Sequence, residues 1–106
     1  MKGRYSYSLK ELNKEKSLVT CYVLTKVLEL ENVNCEKPEE IFEIAKEKYG
    51  QDFLATIYRE SEPIASQKIT NIKTNSHYDL QNSYNKLINK GKEMINKINN
   101  NSHVNK

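Results

Sequence analysis

Few side chains in this 106-residue chain offer nucleophilic or acid–base chemistry near neutral pH: two cysteines, Cys21 and Cys35, and two histidines, His77 and His103. A thiol nucleophile needs a base within hydrogen-bond reach. A Cys35–His77 pair can be drawn, but nothing in the sequence supports it, and Cys21 falls inside an apolar run where a cysteine behaves as a small inert hydrophobe. No C-x-x-C or H-x-x-x-H spacing offers a metal its ligands, and Gly3, Gly50 and Gly91 stand alone rather than forming a phosphate-binding loop. The glutamates of residues 36–47 repeat at helical spacing, which makes them a solvated helix face. The expectation is a binding protein and not an enzyme, with no cofactor and no metal.

The cations offer more. Lysine outnumbers arginine 15 to 2, beside 13 asparagines and 9 isoleucines, a bias that AT-rich codons produce without selection on the protein. The charge is uneven: 6 bases to 4 acids over residues 1–34, 3 to 5 over 35–50, 3 to 3 over 51–73, and 5 to 2 over 74–106. Basic ends around an acidic middle suit an anionic partner. Lys86, Lys90 and Lys97 lie on one flank of the last helical run and would neutralise phosphates, joined by Lys68 and Lys73. Arg4 and Arg59 alone can grip a guanine with two hydrogen bonds at once.

These residues must be held by local structure. Ser8-Leu9-Lys10-Glu11 has the form of a capping box and predicts a helix start. From Leu18 to Leu30 the apolar residues point nearly all round a helix, marking the centre of the core, with a strand over 18–24 as the alternative. Pro38 suits the first turn of a second helix, closed by Gly50, whose Ile41, Phe42, Ile44, Ala45 and Tyr49 oppose its glutamates. Residues 53–59 and 64–73, rich in aromatic and β-branched types around Glu60-Ser61-Glu62-Pro63, predict a β-hairpin. Ser76-x-x-Asp79 then opens a long amphipathic helix carrying Leu80, Tyr84, Leu87, Ile88, Met94, Ile95 and Ile98, which fades near Asn99. Gly91, in the middle of that apolar stripe, implies the close approach of another backbone, within the chain in preference to across a dimer.

The spacing of Ser8 to Leu12, Leu18, Val23 and Val27 resembles helix-turn-helix DNA-binding proteins, although Asn13 and Ser17 stand where that pattern has alanine and glycine. In outline the chain is closer to winged-helix proteins: helices, then a two-stranded wing bearing Arg59 and Lys68. That resemblance implies a wing on the DNA backbone or minor groove and a helix in the major groove. The fold expected is α+β, with three main helices and a β-hairpin between the second and third, winged-helix-like. It forms a single domain over residues 1–99, followed by a disordered polar tail over 100–106. The function expected is a small DNA-binding accessory protein of the kind phages and plasmids carry. The alternative is a protein-binding inhibitor or adaptor acting through the amphipathic last helix or the acidic helix face. A low apolar content of 37% allows for a homodimer. No run approaches the ~20 apolar residues that span a bilayer, and no signal peptide follows Met1, so no membrane partner and a cytoplasmic location are expected.

Overall fold

The computed structural model describes residues 8–76 and 79–104, the last four of them as backbone alone. One long helix organises the rest. The Ser8 Oγ accepts the Glu11 N–H at 3.0 Å while the Glu11 carboxylate accepts the Ser8 N–H at 3.3 Å, so the predicted box satisfies two amides that a helix start leaves unpaired. This helix, α1 (Leu9–Leu30), includes residues 18–24, and the strand alternative is not taken. It ends where Asn32 adopts a left-handed conformation, φ 60°. There the Val33 N–H bonds the Leu28 carbonyl at 2.9 Å and the Asn32 N–H bonds that of Glu29 at 3.1 Å, the Schellman closure in which asparagine substitutes for glycine. Val19, Val23, Leu24, Val27 and Leu28 are buried, whereas Leu18 is 50% exposed. The core-centre reading of α1 therefore holds on one broad face and not all round.

Pro38 opens a 3₁₀ turn (Pro38–Glu40) that leads directly into α2 (Ile41–Tyr49). Gly50, at φ 101°, ends α2, and α3 (Gln51–Glu60) starts at the next residue. A side chain at Gly50 would meet no neighbour; the positive φ is what favours glycine there.

The expected β-hairpin does not form. Residues 53–59 lie in α3, residues 64–73 lie in α4 (Glu62–Thr74), and no strand occurs among the described residues. The α+β, winged-helix-like class is corrected to an all-helical fold. Composition argued for strands, but spacing decided: Phe53, Leu54, Ile57 and Tyr58, then Ile64, Ala65 and Ile69, each mark one face of a helix. Burying such a face outweighs β-propensity differences that span only about 1 kcal/mol. Pro63, read as part of a hairpin turn, occupies the first turn of α4, where its missing N–H costs no hydrogen bond.

Ser61, between α3 and α4, is a buried joint. Its Oγ donates to the Tyr58 carbonyl at 2.6 Å and accepts the Thr20 hydroxyl at 3.3 Å. From that pin α4 runs antiparallel to α1, with Glu62 beside Lys16 at 3.7 Å, Lys68 beside Glu15 at 3.2 Å and Lys73 beside Glu11 at 3.8 Å.

The last helix, α5 (Gln81–Val104), starts after Asp79, whose Oδ1 accepts the Gln81 N–H at 3.0 Å. The expected start at Ser76 is displaced, because the Ser76 N–H bonds the Asn71 carbonyl at 2.9 Å where α4 closes on left-handed Asn75. α5 runs to Val104 rather than fading near Asn99, and the tail expected from residue 100 falls largely on residues whose side chains lie outside the described set. Tyr84 packs edge-on against Tyr22 with centroids 4.9 Å apart, and Gly91 faces Val27, so α5 travels in the same direction as α1. In that register its final turns extend past the end of α1, in keeping with overall dimensions of 56 × 25 × 22 Å. A Cβ on Gly91 would lie 3.1 Å from Val27 Cγ2, 3.6 Å from Ile57 Cδ1 and 4.0 Å from Phe53 Cε1. The close neighbours of Gly91 are within the chain, and they are side chains of α1 and α3 rather than the expected backbone.

Candidate nucleic-acid interface

A helix that packs with one face must present the other to solvent. In α5 the buried positions are Leu87, Gly91 and Ile95, with Tyr84, Ile88, Met94 and Ile98 half-buried beside them. Advancing about 100° per residue places Lys86, Lys90 and Lys97 within about 40° of one another on the flank nearest α3 and α4, and all three are exposed. Over about 16 Å of helix rise they form a basic row, interrupted between Lys90 and Lys97 by exposed Glu93 on the same flank. Lys86 and Lys90 border a groove of about 230 Å³ that Glu60 and Pro63 line from the opposite side. Lys90 stands 4.0 Å from Glu60 with both groups near half exposure, a pairing solvent renders weak. Lys86 and Lys97 have no ion-pair partner among the described residues.

The other residues singled out from the sequence are dispersed. Arg59 is exposed in the last turn of α3, one residue from the Glu60 that approaches Lys90. Lys68 and Lys73 project from α4 onto Glu15 and Glu11 of α1, so they belong to the α1–α4 seam and not to the α5 row. Arg4 lies outside the described residues. So do His77 and any pairing of it with Cys35, and nothing is described of the His103 side chain. Cys21 and Cys35 are free thiols, Cys35 donating to the Lys37 carbonyl at 3.1 Å. No group of three or more histidine, cysteine, aspartate or glutamate side chains able to hold a metal occurs among the described residues. Nor is any helix among them long and apolar enough to cross a membrane.

Two features escaped the sequence reading. Asn82, Asn85, Asn89, Asn96 and Asn100 are all exposed and, at about 100° per residue, fall within about 60° of one another on the side of α5 farthest from its buried stripe. Their helical spacing was visible in the sequence but was absorbed into the general asparagine excess. The second is an apolar cleft of about 450 Å³ between α1, α2 and α3, lined by Ser17, Phe42, Gln51, Leu54, Ala55 and Tyr58. No local pattern marks it, because it depends on the bend at Gly50.

Comparison with known proteins adds no relative: no family model matches the chain, and neither the curated proteins nor the solved structures contain a significant match.

Proposed function

We propose that the chain is a small DNA-binding accessory protein that docks through the outward face of α5. The observation that carries this reading is the row of Lys86, Lys90 and Lys97 on a helix whose apolar stripe is consumed within the protein. Three ammonium groups over about 16 Å match the regular phosphates of a duplex backbone, where each contact releases condensed counterions and makes binding salt-dependent. Arg59, exposed in the last turn of α3, adds either a phosphate contact or a fork for a guanine edge. Glu36, Glu39, Glu40, Glu43 and Glu47 remain exposed around α2, an acidic surface suited to facing away from the phosphates.

The test replaces Lys86, Lys90 and Lys97 together by glutamine and measures duplex affinity across a salt series. Binding should weaken on all sequences alike and the slope of log K against log salt should flatten by about three. Reversing Glu43 and Glu47 to lysine should leave binding intact or strengthen it. A lysine triple variant that binds as tightly as the wild type at low and moderate salt would refute the proposal.

The cleft beside Phe42, Leu54 and Tyr58 supports a second reading, a protein adaptor that accepts an apolar side chain from its partner. The amphipathic-helix version of that alternative loses its basis, since Leu87 and Ile95 are already buried. Under the adaptor reading Leu54→Lys abolishes function in the cell while the lysine triple variant retains it; under the DNA reading the outcomes exchange.

A further inference from the structure

The most solvent-facing stripe of α5 carries five asparagines and a single exposed charge, Glu93, at its edge. An exposed helix face ordinarily carries lysine, glutamate or alanine, and each asparagine there is roughly 0.5–0.7 kcal/mol worse than alanine in helix propensity. Asn82, Asn85, Asn89 and Asn96 accept that disadvantage on the face that points away from the core. Each primary amide carries an acceptor and a donor in one plane, the arrangement that matches the N6–H and N7 of adenine in the major groove. The lysine row runs alongside on one edge, as phosphate contacts flank a base-reading helix.

We infer that Asn85 and Asn89 read adenine edges in the major groove of a duplex whose phosphates the neighbouring lysines hold. This inference rests on the DNA-binding reading of the same helix and adds the element of sequence choice. Asn85 and Asn89 are one turn apart, about 6 Å of rise, close to two base-pair steps of about 3.4 Å. Lys86 and Lys90 follow them directly in sequence and flank them along the same stretch. Asn89 has no hydrogen bond among the described residues, so both halves of its amide face solvent; Asn85 receives one bond at its Oδ1 from Gln81 Nε2 at 3.1 Å. That bond orients the Asn85 amide and keeps its Nδ2 hydrogens available for an N7. On the edge opposite the lysines, Asn85 and Asn89 border a shallow groove of about 390 Å³ shared with Lys26, Glu29 and Leu30 of α1.

The experiment uses the full chain and duplexes of about 20 base pairs with a randomised centre, enriched through binding, sequenced, and compared by fluorescence anisotropy with an all-G·C duplex of equal length. The wild type should enrich sites bearing adenines about two base pairs apart and prefer them about 10- to 100-fold over the all-G·C duplex. Asn85→Ala/Asn89→Ala should reduce that preference to within about threefold while leaving affinity for the all-G·C duplex nearly unchanged, since the lysines are intact. Alanine is the better helix former, so circular dichroism should show undiminished helicity in this variant. Equal wild-type affinity for both duplexes, or a preference that survives the double substitution, overturns the base-reading role and leaves the phosphate-binding role standing. Loss of salt dependence in the wild type, or full binding by the Lys86→Gln/Lys90→Gln/Lys97→Gln variant, overturns both together.

Discussion

At the scale of single residues the most constrained atoms are those around Gly91. A methyl group there would press on Val27 Cγ2 at 3.1 Å, closer than ordinary contact, so the roughly 1 kcal/mol that alanine gains over glycine in a helix is opposed by crowding. Gly91→Ala should therefore shift stability by less than about 1 kcal/mol in the wild type. In a Val27→Ala background, itself destabilised by roughly 1–3 kcal/mol, it should stabilise by about 1 kcal/mol, because the obstructing methyl has gone. Strictly additive urea-unfolding energies would contradict this packing. The Thr20–Ser61 pair allows a similar cycle: Thr20→Val or Ser61→Ala alone should cost about 1–2 kcal/mol by leaving a buried hydroxyl short of a partner, and the double variant less than their sum. Tyr49 contributes to the alkaline limit. Burial first, and then the charge of Glu31, hold its hydroxyl above the usual 10.0. The folded chain keeps a proton that the unfolded chain releases, so this contribution is complete below the unfolded value and declines as pH rises through the folded one. Tyr49→Phe should flatten that part of the decline, and Glu31→Gln should flatten it less, as read from unfolding curves on either side of pH 10.0.

At the scale of elements, the signals that read correctly were local. Ser8 with Glu11, Pro38 and Gly50 each fix an end of a helix through hydrogen bonds or a dihedral within a few residues, so no knowledge of the tertiary structure was needed. The hairpin failed because residue types in 53–73 were weighed above their period, and because Pro63 is equally at home in a turn and in a helix start. The α5 lysine flank was legible from spacing alone. The inward turn of Lys68 and Lys73 was not, since it depends on α4 lying antiparallel to α1, a fact residing in contacts more than 50 residues apart in sequence, as between Glu15 and Lys68. The joint at Gly50 yields a prediction on this scale: Gly50→Ala should destabilise by about 1–2 kcal/mol although its Cβ meets nothing, the cost arising from the left-handed backbone. A neutral result in thermal unfolding would mean that α2 and α3 can meet at another angle.

At the scale of the molecule, α1 and α3 each pack against all four other helices, and the low apolar content of the chain is met by concentrating valine and leucine in α1. Leu87, Gly91 and Ile95 of α5 close this core, while Tyr84, Ile88, Met94 and Ile98 beside them stay half-buried. Gly91→Leu should therefore lower the melting temperature without changing the sedimentation coefficient of the folded protein, whereas a shift in association state would restore the dimer expected from composition. The parallel pairing of the first and last helices has a further effect, on the order in which the protein comes into being. A nascent chain synthesised through α4 already contains Val27, Phe53 and Ile57, the surface that Gly91 covers in the finished fold. At roughly 5–20 residues per second, the stretch from Asn75 to Val104, where α5 ends, takes the ribosome about 2–6 s. For that interval the incomplete protein exposes an oily strip that invites chaperones or sticking to neighbours.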